Sequence, residues 1–411
     1  MDTTELRHYS LQGPFAVNGP HLVIGGTRLV DIVAQCGKTP LYLYSRDIIR
    51  NRIRELRKLL PTGVRLHYAV KANPMQAVVD LIAQNVDGLD VASGRELSTA
   101  LRSGMPSADI SFAGPGKSEQ ELADAIAAGI TLNVESDTEF ARIADISRTT
   151  GRTANVALRI NPDFELRASG IKVSGGPQPF GVDAEAAPTL LEKIAASGVQ
   201  FMGFHIFSGS QTLRAETIIE VQEKTFALAG QLSEHAGMPV RRLNIGGGFG
   251  IPYFPGDTPL EVRPVMENLK TLLAQYHEKF ARTEIVLELG RYLVGEAGLY
   301  VTRITDRKIS RGTLYLVCDG GLHHHLAASG NLGQAIRRNY PVTIGNRIGE
   351  RTENVSVVGP LCTSLDILAK DMDLPKADIG DLVVVFQSGA YGYTASPINF
   401  LSHPEPSQIL V

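Results

Sequence analysis

The segment HYAVKANP (67–74) ends an apolar, strand-like run on Lys71, just before an Asn-Pro turn signal. A lysine there is either a solvated charge at the edge of a fold or an amine held inside a pocket for chemistry. Farther along, LNIGGGFG (243–250) sets Gly246, Gly247 and Gly248 in a row, so bare backbone N–H groups can close around an anion. The pattern G-x-G-x-x-G is not satisfied, so this is not a dinucleotide fingerprint. Asp90, Glu135, Arg159, His205 and Glu288 with Arg291 lie at or near the ends of other apolar runs. An amine, an anion loop and a carboxylate suit Schiff-base chemistry. In one version Lys71 holds pyridoxal phosphate, the glycines hold its phosphate and an acid keeps its ring nitrogen protonated. In the other, Lys71 attacks a phosphosugar directly, as in a lyase or aldolase. Spacing alone does not separate the two.

The elements that must position these residues form a regular rhythm. Strand-like runs occur at 65–70, 88–93, 109–114, 131–136, 155–160, 200–207, 241–246 and 284–289. Helical patterns fall at 46–60, 75–84, 94–104, 118–128, 137–150, 186–197, 214–236 and 262–280. Eight strand–helix units predict an α/β fold with a TIM-like (β/α)8 barrel rather than an open doubly wound sheet, and barrels carry their chemistry at the strands' carboxyl ends. The glycine triplet then follows strand seven, a usual phosphate position. From about residue 297 the texture becomes strand-rich, as it is in the segment HLVIGGTRLVDIVAQCGKTPLYLYS. The expectation is a barrel over 44–296 and a β-sandwich or β-barrel domain from 1–43 and 297–411.

Composition removes several classes. The 411 residues exceed one ordinary core, and a net charge of −3 offers neither a nucleic-acid footprint nor a polybasic anchor. The three cysteines, Cys36, Cys318 and Cys362, have no metal or disulfide spacing and fit a reducing compartment. MDTTELRHYS has no signal-peptide character, and no apolar run reaches membrane-spanning length. A cytoplasmic protein without a metal is expected.

YAVKANP, LNIGGGFG, ELGRYLVGEAG, GPLCTSLDILAKD and GAYGYTASPINF, in this order, resemble the motif set of the diaminopimelate and ornithine decarboxylase family, pyridoxal-phosphate enzymes of fold type III. The resemblance runs from about residue 20 to the end. It implies that Lys71 is the Schiff-base lysine and that Glu288, in ELGRY where the family usually has EPGRY, pairs with the pyridinium nitrogen. Gly246, Gly247, Gly248, Arg291 and Tyr391 match phosphate-binding positions, with Arg291 and Tyr391 also near substrate. His205 matches an imidazole stacked on the ring; Asp90, Glu96 and Arg159 match supporting positions. Cys362 matches a cysteine that a second subunit contributes to reprotonate the product carbon, which implies a homodimer with shared active sites.

Three departures bear on substrate. Where relatives carry an acidic residue that contacts the substrate's distal end, this chain has Thr363, and a hydroxyl cannot offset burial of a distal ammonium. In DGGLHHHLAASGNLGQ (319–334), His323, His324 and His325 replace an expected arginine, with Arg337 and Arg338 beyond. Adjacent histidines on a strand would alternate in direction, leaving a surface cluster or a pocket wall and no three-ligand metal site. HIFSGSQ is two residues longer than the usual HIGSQ, so Ser208 or Ser210 faces the phosphate, with Ser208 favoured by spacing. Together these features resemble a branch of decarboxylases encoded with acyl-carrier proteins, and IRRNYP (336–341) is either a docking patch for an acidic carrier or a solvated charge pair. A diaminopimelate decarboxylase proper, an amino-acid racemase and a non-catalytic regulator on the same fold are the competing readings.

Overall fold

The computed structural model describes residues 14–164, 176–254, 256–332, 334 and 336–411. The opening ten residues used above to judge a signal peptide lie outside them. Contacts divide the chain into two units: residues 53–251 with 259–290, and residues 1–52, 252–258 and 291–411. The stretch 252–258, inside the expected barrel span, clusters with the second unit.

The first unit is a closed parallel barrel. Its strands are β1 (Val64–Ala69), β2 (Gly88–Val91), β3 (Ile110–Phe112), β4 (Thr131–Val134), β5 (Asn155–Asn161), β6 (Gln200–Ile206), β7 (Arg242–Gly247) and β8 (Glu284–Leu289). Each pairs with the next, β4 with β5 and β8 with β1, so the sheet has no edge along this circuit. All eight strand-like runs of the sequence are barrel strands. The helical patterns are also present, with 262–280 broken into Val262–Gln275 and His277–Phe280.

Local chemistry fixes several of the crossings. Ser93, Ser118 and Ser136 each stand before a helix and accept the N–H of a glutamate three residues on, at Glu96, Glu121 and Glu139. These caps satisfy orphan helix donors right after a strand or strand loop, turning the chain sharply at the barrel's carboxyl end.

The second unit is a mixed sheet. The long strand Gly298–Ser310 is its spine, paired antiparallel with Thr313–Cys318, Leu382–Val385 and Leu41–Tyr44. The terminal strand Ser407–Leu410 lies parallel to Leu41–Tyr44, so both chain ends build one sheet. A core of Leu22, Ile24, Leu29, Leu41, Leu43, Leu299, Val301 and Val384 seals it. The N-terminal segment is not wholly extended as its texture suggested. Leu29–Cys36 is a helix whose buried Leu29, Ile32 and Val33 recur at helical spacing, and Gly37 ends it in the left-handed region.

Candidate active site

Lys71 sits two residues past β1 in a single 3-10 turn, Val70–Ala72. Val70 and Ala72 point into the core while Lys71 is exposed. The turn causes this: leaving the strand, the chain rotates the lysine away from the face that packs. Tyr68 donates its hydroxyl hydrogen to the Asn73 carbonyl (3.0 Å), and Asn73 Oδ1 accepts the Met75 N–H (3.1 Å), which pins the turn. Lys71 Nζ lies 5.7 Å from the centre of the Phe207 ring.

Glu288, near the end of β8, is buried. Its Oε2 accepts from Asn244 Nδ2 (3.1 Å) and lies 3.2 Å from His205 Nε2. Burial alone would raise its pKa. The hydrogen bond and charge of His205, the Lys71 ammonium and the Asn244 amide outweigh this and hold it far below the usual carboxylate range. Asn244 has a second task, because its Oδ1 accepts the Gly246 N–H (2.8 Å) and so ties the glycine loop to the carboxylate.

Gly246 and Gly248 have φ of +65° and +74°. A Cβ on Gly248 would fall 2.6 Å from the Gly209 carbonyl oxygen, and one on Gly247 2.2 Å from that of Glu288. Only bare backbone fits at Gly247 and Gly248, so no Cβ stands over the loop there. Ser208, on the loop that approaches these glycines, is buried, whereas Ser210 is partly exposed.

Beginning on β1, the strand paired with β8, a chain of buried polar groups crosses four strands. His67 Nδ1 lies 3.2 Å from Asp90 Oδ2, Ser111 donates to Asp90 Oδ1, and Asn133 Nδ2 donates to Ser111 (3.1 Å). Above it Glu135 Oε1 accepts from Arg159 Nη1 (2.8 Å) and from the Gly114 N–H, and its Oε2 accepts from the Gly181 N–H (3.1 Å). The Arg159 guanidinium stands 5.1 Å from the Phe180 ring centre. Arg159, first in weight after burial, brings the Glu135 pKa below its ordinary value. Next to it Lys117, almost fully enclosed, donates to Glu139 Oε1 (2.9 Å) and to the carbonyls of Gly114 and Asn133. Glu96 accepts the Ala92 N–H (2.8 Å); burial raises its pKa against that bond and Lys71.

The barrel thus gathers Lys71, Asp90, Arg159, His205, Ser208, the three glycines and Glu288 at the carboxyl ends of its strands. His67, Ser111, Asn133 and Lys117 extend the chain around Asp90, Asn244 holds Glu288, and none of the five was singled out from the sequence. Asn244 had a signal, since LNIGGG places it two residues before the loop; the others had none.

The second unit holds the remaining candidates. Arg291 donates to the Tyr253 hydroxyl (2.6 Å), and its guanidinium lies 4.7 Å from the ring centre of Tyr391, whose φ is +54°. Cys362 is exposed and Thr363 partly so, on the loop between Thr352–Val358 and Ile367–Pro375. The three histidines correct the sequence reading in one respect, since they lie in a turn rather than on a strand; all are buried, which removes the surface cluster of the two alternatives. Burial, with neighbouring imidazoles, lowers His323 to about 3 and His324 to about 4; burial alone brings His325 to about 3. His325 accepts the Ala328 N–H at Nδ1 (3.2 Å) and faces Ser388 Oγ through Nε2 (2.9 Å). Arg338 of IRRNYP pairs with Asp257 (3.5 Å) over the Phe254 ring, and Arg337 donates to the Ile367 carbonyl (2.8 Å). Among the described residues there is no cluster able to hold a metal ion, and no helix is long and apolar enough to cross a membrane.

The barrel's glycine cradle, its deeply ionised carboxylate and its amine at the open end fit pyridoxal phosphate. The unpartnered, buried Nδ1 of His205 is a further polar atom awaiting a ligand there. Residues 46–295 match the family described as pyridoxal-dependent decarboxylase, pyridoxal binding domain, and the chain belongs to that family. It is a decarboxylase whose cofactor is pyridoxal 5'-phosphate. The chain is 37% identical over 380 residues to the L-glutamyl-[BtrI acyl-carrier protein] decarboxylase of Niallia circulans, covering 91% of this chain and 89% of that one. It is 33% identical to the diaminopimelate decarboxylase of Aquifex aeolicus, over 95% and 90% of the two chains. The structure of diaminopimelate decarboxylase from M. jannaschii with L-lysine superposes with a TM-score of 0.86 at 28% identity, covering 97% of this chain and 92% of that one.

Proposed function

We propose that the protein removes the α-carboxylate of an amino acid borne on an acyl-carrier protein, with no free amine at its far end. The observation that carries this is Thr363 beside Cys362, a position that offers a hydroxyl and no charge to the substrate's distal end. The carrier-bound glutamyl group named for the Niallia circulans relative supports it.

When bound, pyridoxal phosphate draws off the electron pair left on the α-carbon as carbon dioxide departs. Lys71 is the amine that would hold the cofactor. The N–H groups of Gly247 and Gly248 and the Ser208 hydroxyl would receive the phosphate, with Gly246, its own N–H held by Asn244, shaping the loop, and Arg291 and Tyr391 are assigned with them from their motifs. Glu288, kept ionised by His205 and Asn244, holds a proton on the ring nitrogen, while Asp90 and Arg159 brace the walls. Cys362 returns a proton to the α-carbon. We assign the active assembly as a cytoplasmic homodimer in which the partner subunit supplies this cysteine.

The test is carbon-dioxide release from glutamyl-loaded carrier, free glutamate, free diaminopimelate and free lysine. Release from the loaded carrier alone is expected. Robust turnover of free diaminopimelate or lysine overturns the reading of Thr363, and unchanged substrate of inverted configuration would mean racemisation.

A further inference from the structure

Asp366 has no part in the roles above, yet it joins the two segments in which this chain departs from its relatives. Its carboxylate is 2% exposed. Oδ1 accepts the N–H of Leu322 (2.6 Å) and Oδ2 the N–H of Leu361 (2.8 Å). Leu322 directly precedes His323, and Leu361 directly precedes Cys362. The backbone of Asp366 closes the same loop: its carbonyl accepts the Gly359 N–H (3.1 Å), and its N–H donates to the Thr363 carbonyl (3.3 Å).

Two glycines make room for this carboxylate. A Cβ on Gly321 would fall 2.1 Å from Oδ1, and a Cβ on Gly359 2.3 Å from Oδ2. Burial raises the pKa of Asp366, and the N–H bonds of Leu322 and Leu361 pull against it. A buried carboxylate held chiefly by backbone donors is an expensive way to pack a loop, and an apolar side chain would do that more cheaply. What the carboxylate adds is direction: two acceptors on one planar group fix two amides relative to each other.

We propose that Asp366 is a positioning residue whose two-armed carboxylate sets the loop from Leu361 to Leu365, and with it the place from which Cys362 and Thr363 meet the substrate. This rests on the roles given to Cys362 and Thr363 above. Asparagine can accept through only one atom and turns an N–H2 toward the second amide, so Asp366→Asn breaks one arm with little change of volume. Gly359→Ala reaches the same contact from the other side.

The experiment uses the full-length holoenzyme and whichever substrate releases carbon dioxide in the screen above. Hydrogen exchange at the Leu322 and Leu361 amides, alkylation of Cys362 by iodoacetamide and steady-state kinetics are compared for wild type, Asp366→Asn and Gly359→Ala. In both variants amide exchange should quicken by roughly tenfold, as expected for one lost hydrogen bond. The Cys362 alkylation rate should change severalfold and kcat should fall about tenfold, with bound-cofactor absorbance retained. Wild-type exchange at both amides overturns the proposal, and so does faster exchange with unchanged kcat and alkylation. If Asp366→Asn does not fold, Gly359→Ala decides on the same readouts. Wild-type turnover in Cys362→Ala would overturn the role of the thiol under Proposed function, independently of how the two amides exchange.

Discussion

Replacing Gly248 by alanine tests the cradle most directly, because its cost can be worked from backbone positions alone. At φ +74° an alanine occupies the left-handed region, which costs roughly 1–3 kcal/mol. Its Cβ would also fall 2.6 Å from the Gly209 carbonyl oxygen, a backbone atom that cannot swing aside. Forcing that contact open adds about 1–3 kcal/mol, for a total of roughly 2–6 kcal/mol. The control is Gly237→Ala. Gly237 ends a helix at φ +58° with nothing within 4 Å of its added Cβ, so it carries the backbone strain without the clash. Urea denaturation of the apoenzymes should therefore show Gly248→Ala as the less stable, with the difference reporting the contact. Shifting the loop also misaims N–H donors at the phosphate. Losing one charge-assisted hydrogen bond, worth about 1.5–3 kcal/mol, weakens cofactor binding by roughly ten- to a hundredfold. Fluorescence titration with pyridoxal phosphate reads this, and Gly237→Ala should bind as wild type. Equal stability of the two variants, with unchanged cofactor affinity in Gly248→Ala, would refute the cradle.

Three further outcomes are expected. Lys71→Ala should leave a folded protein in which borohydride no longer fixes the cofactor at residue 71, read by peptide mass spectrometry, with turnover down by about three orders of magnitude or more. His325, at about pKa 3 folded against about 6.5 unfolded, binds its proton only on unfolding across that window, so stability rises with pH there. The slope from this one group is about 1.4 kcal/mol per pH unit, and His325→Gln should flatten a plot of unfolding free energy between pH 4 and 6 by up to that amount. Lys117→Met strands the enclosed Glu139 and should cost about 3–5 kcal/mol by denaturant titration, while the double variant with Glu139→Leu should regain much of it. A double variant no more stable than the single one would contradict the pairing.

Much was legible in the sequence because it is encoded locally. The eight barrel strands are short apolar runs bounded by turn and capping residues, and the helices between them carry their own period. LNIGGGFG announces its loop because three consecutive glycines have few other uses. The exposure of Lys71 was not legible, because it depends on a single 3-10 turn whose outward rotation is set by packing of Val70 and Ala72. Nor was the burial of His323, His324 and His325: a polar triplet reads as surface until the sheet and the 396–404 segment close over it. Glu288 could be picked out by its motif, but its deep ionisation required β6, β7 and β8 to bring His205 and Asn244 to one carboxylate. The same is true of Lys117 with Glu139 and of Asp366 with Leu322 and Leu361, whose partners are 22, 44 and 5 residues away. Residue type and local period determined the elements and the kind of chemistry. The charge states, and which groups face one another, came only from closing the two sheets, because burial and pairing are properties of the folded chain.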